Sequence, residues 1–215
     1  MIAAIFDIDG TLLPGASTDR LFFEYLLKKG VLGPVALSRT LAFMVKNIRG
    51  GSDQMIKKNK AYLKNVDTEV LLKHVKPFFE RCIKPRIPES SRKIIKEHQF
   101  QGHVVILLSA ALQPLVDLWK VEFEADEGIG TTIQVANGKY TGSIEGEHPF
   151  GEGKARWLET LRKQYSLELN QCYGYGDHFS DHFFLDAVGN PVVVDPTAKM
   201  RAYALNKAWL ITDRL

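Results

Sequence analysis

The chain has 215 residues, 45% of them hydrophobic and 25% charged, with a formal net charge of +3. That length suits one large domain, or one domain carrying an insert, around a sizeable core. The composition excludes a disordered chain, and so small a charge on scattered Lys and Arg excludes a nucleic-acid footprint. The longest apolar region, residues 31–48, is broken by Gly33, Pro34, Arg39 and Lys46, so no membrane span is expected. Cys82 and Cys172 stand far apart, in no metal-ligand spacing and in no disulfide framework. Met1 leads straight into the first apolar run with no basic n-region, so a cytoplasmic protein without a signal peptide is expected.

Residues 2–6 are short, apolar and rich in β-formers, as a buried parallel strand would be. Pro14-Gly15 marks a break. Thr18 or Asp19 then caps a helix to about residue 29, with Leu21, Phe22, Tyr25 and Leu26 on one stripe and Gly30 closing it. A second helix is expected from Pro34 to just before Gly50-Gly51. Ser52 or Asp53 caps a third, with Lys57, Lys58 and Lys60 on a solvated face, and Asp67 opens a fourth, to about residue 83. No strand signal interrupts residues 16–84, which read as an all-helical insert ended by Pro85 and Pro88. A helix from about Ser90 to residue 99 leads to an apolar strand over 103–109 that ends on the Ser109 hydroxyl. Residues 112–120 are helical. Residues 131–135 and 139–144 flank Asn137-Gly138, the strongest short hairpin signal. Gly153 leads into a helix to about residue 165. A strand over 172–176 ends at Asp177, and Ser180 caps a short helix holding Phe183, Phe184 and Leu185. A strand over 191–194, a helix over 198–206 and a last strand over 209–211 complete the chain. Strands alternating with helices predict an α/β fold: a doubly wound, Rossmann-like parallel sheet built from residues 1–15 and 85–215.

Polar groups stand at three strand ends: Asp7 with Asp9, Ser109, and Asp177. In a parallel sheet these ends share one edge, where ligands bind. At strand spacing Asp7 and Asp9 face the same way and repel each other unless a cation or a shared proton relieves them. Gly10 lets the backbone turn away at once. Ser109 can donate to an anion, and the amides of Ala110 and Ala111 are expected to open the next helix as an anion site. Lys154 sits at a helix start, against the helix dipole, which suits an anionic partner. A hard divalent cation needs oxygen ligands. Asp7, Asp177 and the backbone carbonyl of Asp9 can supply them for Mg²⁺, with Asp181 either a direct ligand or a partner of one. His178 and His182, four apart, are an alternative pair for a transition metal, but no further ligand completes a zinc-like set. His148 reads as a loop histidine.

In order, the chain shows D-x-D-G-T at Asp7–Thr11, an apolar strand ending in Ser109, Lys154 at a helix start, and G-D-x-x-x-D at Gly176–Asp181. Gly138-Lys139-Tyr140-Thr141-Gly142, Gly151-Glu152-Gly153-Lys154 and Pro191-Val192-Val193-Val194-Asp195-Pro196 extend the likeness. The whole chain resembles the phosphoserine-phosphatase-like branch (subfamily IB) of the haloacid dehalogenase superfamily. The resemblance implies that residues 16–84 are a helical cap domain. It implies a Mg²⁺-dependent phosphatase acting on a small phosphorylated substrate, with Asp7 as nucleophile and Asp9 as general acid and base. Ser109 and Lys154 complete its catalytic set. Gly10, Thr11, Ala110 and Ser180 are its substrate contacts, and Asp7, Asp9, Asp177 and Asp181 its metal site. Phosphotransfer through the same adduct, or a phosphorylated signalling module without turnover, are the alternatives. One departure stands out. The family's phosphoserine phosphatases carry a Glu nine residues after the nucleophile, where this chain has Ala16. Ser180 replaces their Asn, and Lys58, Asn59 and Lys60 are the nearest candidates for their cap arginine. The pattern has no bearing on oligomeric state.

Overall fold

The computed structural model describes residues 1–33, 38 and 60–215. The helices expected from Pro34 and from Ser52 or Asp53, with Lys57, Lys58 and Asn59, lie outside the described residues. The strands are β1 (Ala3–Phe6), β2 (Val104–Leu112), β3 (Glu127–Ala136), β4 (Lys139–Glu145), β5 (Tyr173–Gly176), β6 (Asn190–Val194) and β7 (Leu210–Thr212). The described helices are α1 (Thr18–Lys28), α2 (Thr68–Phe78), α3 (Glu89–Phe100), α4 (Gln113–Phe123), α5 (Glu152–Tyr165), α6 (His182–Leu185) and α7 (Ala198–Asn206).

The strands form one sheet in the order β4-β3-β2-β1-β5-β6-β7. All pairs are parallel except the β3–β4 hairpin. The chain runs outward from β1 to one side through β2 and β3, then crosses back to β5 on the other. The order therefore reverses at β1, which creates a crevice at its carboxyl end. Both sheet faces are buried, and alternate residues divide between them. Phe6, Val105 and Leu107 join the face covered by α1 to α4, whereas Ile5, Ile106 and Leu108 join the face covered by α5, α6 and α7.

Several local expectations need correction. Ser17, not Thr18 or Asp19, caps α1 and accepts from Arg20 N. Thr18 and Asp19 have turned inward and are fully buried. β2 does not stop at Ser109. A register shift between Leu108 and Leu112 lets it resume pairing with β3 at Thr131, so α4 begins only at Gln113. The amides of Ala110 and Ala111 therefore belong to a bulged strand end and do not open a helix. β3 also starts earlier than its alternating pattern suggested, because Glu127–Ile129 pair in parallel with β2 before the hairpin begins. The short turn after Asp177 is capped by His178 rather than Ser180: Ser180 N donates to His178 Nδ1 at 3.0 Å, and His178 N donates to Asp181 Oδ2 at 3.1 Å. Asp67 does open α2, accepting from Glu69 N and Val70 N. Beyond Pro77 that helix loosens into a π turn over Phe79–Ile83 before the chain re-enters the sheet. The described helices of residues 16–84 share one apolar cluster with the sheet: Phe22, Leu26, Tyr62, Val75 and Phe78 lie in it with Phe6 and Leu107. No helix among the described residues is long and apolar enough to cross a membrane.

Beneath β1, Tyr175 stacks on Phe6 with centroids 4.4 Å apart. Its hydroxyl is 2.8 Å from His98 Nε2, and His98 Nδ1 is 2.8 Å from His103 Nδ1. That last contact needs one donor and one acceptor, so it holds only one proton. Burial, followed by His103, lowers the His98 pKa to about 4. The unfolded chain thus binds a proton here below its ordinary value of 6.5, and the folded chain does not until about pH 4. Stability from this group is complete above that upper value and declines as pH falls through the window. Urea denaturation at pH 7 and pH 5 should show about 1–2 kcal/mol lost through this site. His98→Phe should remove that part of the slope, and an unchanged slope would show that His98 already titrates normally.

Candidate active site

The sheet brings Asp7 and Asp177, two of the expected strand-end groups, together. Asp7 N donates to Tyr175 O at 2.9 Å, which locks the end of β1 to β5 one residue before each strand's terminal turn. The carboxylates of Asp7, Asp177 and Asp181 converge, with ligand oxygens within 4.8 Å of one another. Lys154 reaches the same point from the first turn of α5. Its Nζ donates to Asp7 Oδ1 and to Asp181 Oδ1, both at 2.7 Å. Lys154, Asp7 and Asp181 are all buried. Burial opposes the ammonium charge, but Asp181 and Asp7 outweigh it and hold the Lys154 pKa above its ordinary value. Lys154 is therefore a fixed cation at neutral pH, placed against the α5 dipole by stronger local partners.

Two glycines make this geometry feasible. Gly10 has φ +93° and stands so close to Asp177 that a Cβ would overlap its carboxylate. Gly153 packs on the His148 carbonyl with no room for a Cβ, which draws the start of α5, and Lys154 with it, against the site. Thr11 Oγ1 donates to Asp177 Oδ1 at 3.5 Å. The amides of Gly10 and Thr11 are engaged within the turn, by Leu13 O and Ile8 O.

Asp9 points differently from Asp7. Its Oδ1 accepts from Thr18 N at 2.9 Å and Thr18 Oγ1 at 2.6 Å, at the start of α1. The two carboxylates of the motif thus meet different donors, Thr18 for Asp9 and Lys154 for Asp7. Ser109 Oγ is buried and accepts from Ala111 N at 3.2 Å, which leaves its own proton to donate. Ala110 O accepts from Thr131 Oγ1 at 2.7 Å, and Thr131 Oγ1 also meets His148 Nδ1 at 2.9 Å. Ser180 Oγ lies 2.9 Å from His178 Nδ1. A cleft of about 290 Å³ opens over Asp9, Gly10 and Asp177. Ala16, Phe150, His178 and Asp195 form its rim. Of the expected substrate contacts, Gly10 lines this cleft, and Thr11, Ala110 and Ser180 are not among its lining residues.

Three carboxylates and one ammonium leave a net charge of −2 at one point. An all-oxygen donor set of that charge fits a hard divalent cation. The histidine alternative finds no support among the described residues, where His182 Nδ1 meets Phe179 O and the only converging ligand group is the aspartate set.

Sequence reasoning missed the pairing of two residues here. Asp19 and Lys60 form a fully buried ion pair beside Ala110. Lys60 is thus not on a solvated face. Asp19 read as a candidate helix cap, and no local pattern pairs it with a residue forty-one positions later.

A family model for haloacid dehalogenase-like hydrolases matches residues 4–186. The chain belongs to that family. This hydrolase is 26% identical over 219 residues to the phosphoserine phosphatase SerB1 of Mycobacterium tuberculosis, covering 98% of this chain and 70% of that one. It is 27% identical over 222 residues to a histidinol-phosphatase of Neisseria meningitidis, covering 98% of this chain and 97% of that protein. A crystal structure of a protein of unknown function from Bordetella pertussis superposes with a TM-score of 0.84 at 25% identity, covering 98% and 97% of the two chains.

Gly10→Ala tests the cation site without touching a ligand. Its positive φ and the overlap with Asp177 should cost about 1 kcal/mol or more of stability. Millimolar Mg²⁺ should raise the Tm of the unmodified hydrolase, and Gly10→Ala should abolish that rise. An equal Mg²⁺ shift in both proteins would mean that Asp177 is not a ligand.

Proposed function

We propose that this hydrolase is a Mg²⁺-dependent phosphomonoesterase that works through an aspartyl phosphate on Asp7. One observation carries the reading: Lys154 is buried between Asp7 and Asp181, with Asp177 completing a cation-sized carboxylate set. Lys154 grips Oδ1 of Asp7 and so orients the carboxylate. We assign Oδ2 to in-line attack on phosphorus, which breaks the bond to the leaving alkoxide. Asp9 delivers its proton to that alkoxide. It then takes a proton from the water that attacks the phosphoryl group, which releases inorganic phosphate and restores Asp7. Asp7, Asp177, the Asp9 carbonyl and Asp181, directly or through water, would hold Mg²⁺, which would supply charge neutralisation on the phosphate. Ser109 donates its hydroxyl proton to a phosphate oxygen, aided by the amide of Ala110, while Gly10, Thr11 and Ser180 wall the site. Residues 16–84 serve as the cap over a core of residues 1–15 and 85–215. Its support is the chain path, which leaves the sheet after β1 and returns at α3.

The substrate is a small phosphomonoester other than phosphoserine. Ala16 lines the cleft where a substrate-binding carboxylate would stand. The nearest acid, Asp19, is buried against Lys60, which was itself a candidate to grip the substrate's carboxylate. Discrimination for a zwitterionic head group rests on such partners. The relatives named above set the comparison: kcat/KM for phosphoserine, histidinol phosphate, phosphoethanolamine, glycerol phosphate and sugar phosphates. Phosphoserine should not lead. A tenfold lead for phosphoserine would reverse the argument from Ala16.

The covalent role is tested by Asp7→Asn, which is nearly isosteric but cannot form the acyl phosphate. Activity should fall about a thousandfold or more in a folded protein, and chelation should abolish wild-type turnover until Mg²⁺ is restored. A tenth of wild-type turnover in Asp7→Asn would exclude Asp7 as nucleophile.

A further inference from the structure

Away from the phosphate site, one feature is costly and unexplained by the reaction. Asp19 and Lys60 are both fully buried, and Lys60 Nζ donates to Asp19 Oδ2. Burying two charges rarely stabilises a fold more than an apolar pair of the same size would. What the pair does achieve is placement. Lys60 Nζ also donates to Ala110 O at 3.2 Å, and Leu112 N donates to Asp19 Oδ1 at 3.2 Å. Three segments distant in sequence are joined at one point: the first turn of α1, residue 60, and the bulged end of β2 next to Ser109. The neighbour of Asp19 is Thr18, whose N–H and hydroxyl hold Asp9. Asp19 and Thr18 lie in the same helical turn, so a shift of one carries the other. Tyr62, packed close by, has a buried hydroxyl with no hydrogen-bond partner among the described residues, and burial, followed by Asp19, drives its pKa up. A further polar atom is thus committed to this spot.

We propose that the Asp19–Lys60 pair is a positioning device for Asp9. By fastening the first turn of α1 to the end of β2, it fixes the two Thr18 donors, and these hold the Asp9 carboxylate where it can protonate the leaving group. Asp19 and Lys60 touch neither substrate nor phosphate. The inference rests on the phosphomonoesterase reading and adds to it a pair that acts through Asp9.

The prediction is selective. An alkyl phosphate releases a strongly basic alkoxide and needs a proton from Asp9. p-Nitrophenyl phosphate releases a stable anion and does not. kcat/KM reports the steps up to adduct formation, where that difference is expressed. With Mg²⁺ present, Lys60→Met should lower kcat/KM for an alkyl phosphomonoester by about thirtyfold or more. For p-nitrophenyl phosphate the fall should be less than threefold. Removing one partner leaves a buried charge and can impair folding, so the double variant Asp19→Leu with Lys60→Met, which carries no charge at this point, gives the second measurement. It should fold, shown by an unchanged circular dichroism spectrum, and show the same selective loss. An equal fall on both substrates, or no fall, in a folded variant would overturn the positioning role. Failure of the wild-type protein to turn over either substrate would instead overturn the phosphomonoesterase reading, so the two failures are distinct.

Discussion

The structure depends on one buried ammonium. Lys154 sits between Asp7 and Asp181 at 2.7 Å from each, and it brings a cation from the first turn of α5 into the carboxylate cluster. Without it, three carboxylates within 4.8 Å would repel one another by several kcal/mol at any dielectric a protein interior offers. With it, two are tied and the cluster keeps a net charge suited to a divalent cation. The surrounding architecture follows from this requirement. The sheet must reverse its order at β1 so that β1 and β5 end side by side. Gly10 must lack a side chain so that Asp177 can approach, and Gly153 must lack one so that α5 can start close enough for Lys154 to arrive.

Much of this was legible in the sequence, and the reason is physical. Asp7, Asp177 and Lys154 are each next to a backbone feature with its own signal: an apolar run, a strand followed by a turn, a glycine-flanked helix start. A parallel sheet converts those local signals into one place without further information. The haloacid dehalogenase-like likeness of D-x-D-G-T, Lys154 and G-D-x-x-x-D survived comparison with the family model over residues 4–186. The hairpin at Asn137-Gly138 and the cap at Asp67 were also readable, because each is settled within four residues.

What sequence alone misplaced was settled by partners distant in the chain. Ser17 caps α1 because Thr18 is held by Asp9 and Asp19 by Lys60 and Leu112, so the better-looking capping residues are committed elsewhere. β2 runs past Ser109 because β3 offers a pairing partner at Thr131, which no apolar run announces. Lys60 looked like one of three solvated lysines and is instead among the most buried side chains in the structure. In each case a long-range contact overrode a local preference of about 1 kcal/mol or less.

The two buried ion pairs therefore differ in kind. Lys154 compensates charges that the proposed chemistry needs, and neither Asp7 nor Asp181 could be replaced by an apolar residue without loss of the cation site. Asp19 and Lys60 compensate each other, and an apolar pair would fill the same space at no greater cost to stability. Their value must lie in direction, which apolar contacts lack. A carboxylate that accepts from both Lys60 and Leu112 N, and an ammonium that also reaches Ala110 O, fix the angle and height of the α1 turn relative to β2. Apolar packing would hold that turn in place with looser tolerance. Thr18 would transmit the placement to Asp9 over a single residue, and the proton transfer proposed for Asp9 is sensitive to displacements well below 1 Å. The cost of burying the second pair is thus matched to the one task in the site that tolerates least misplacement.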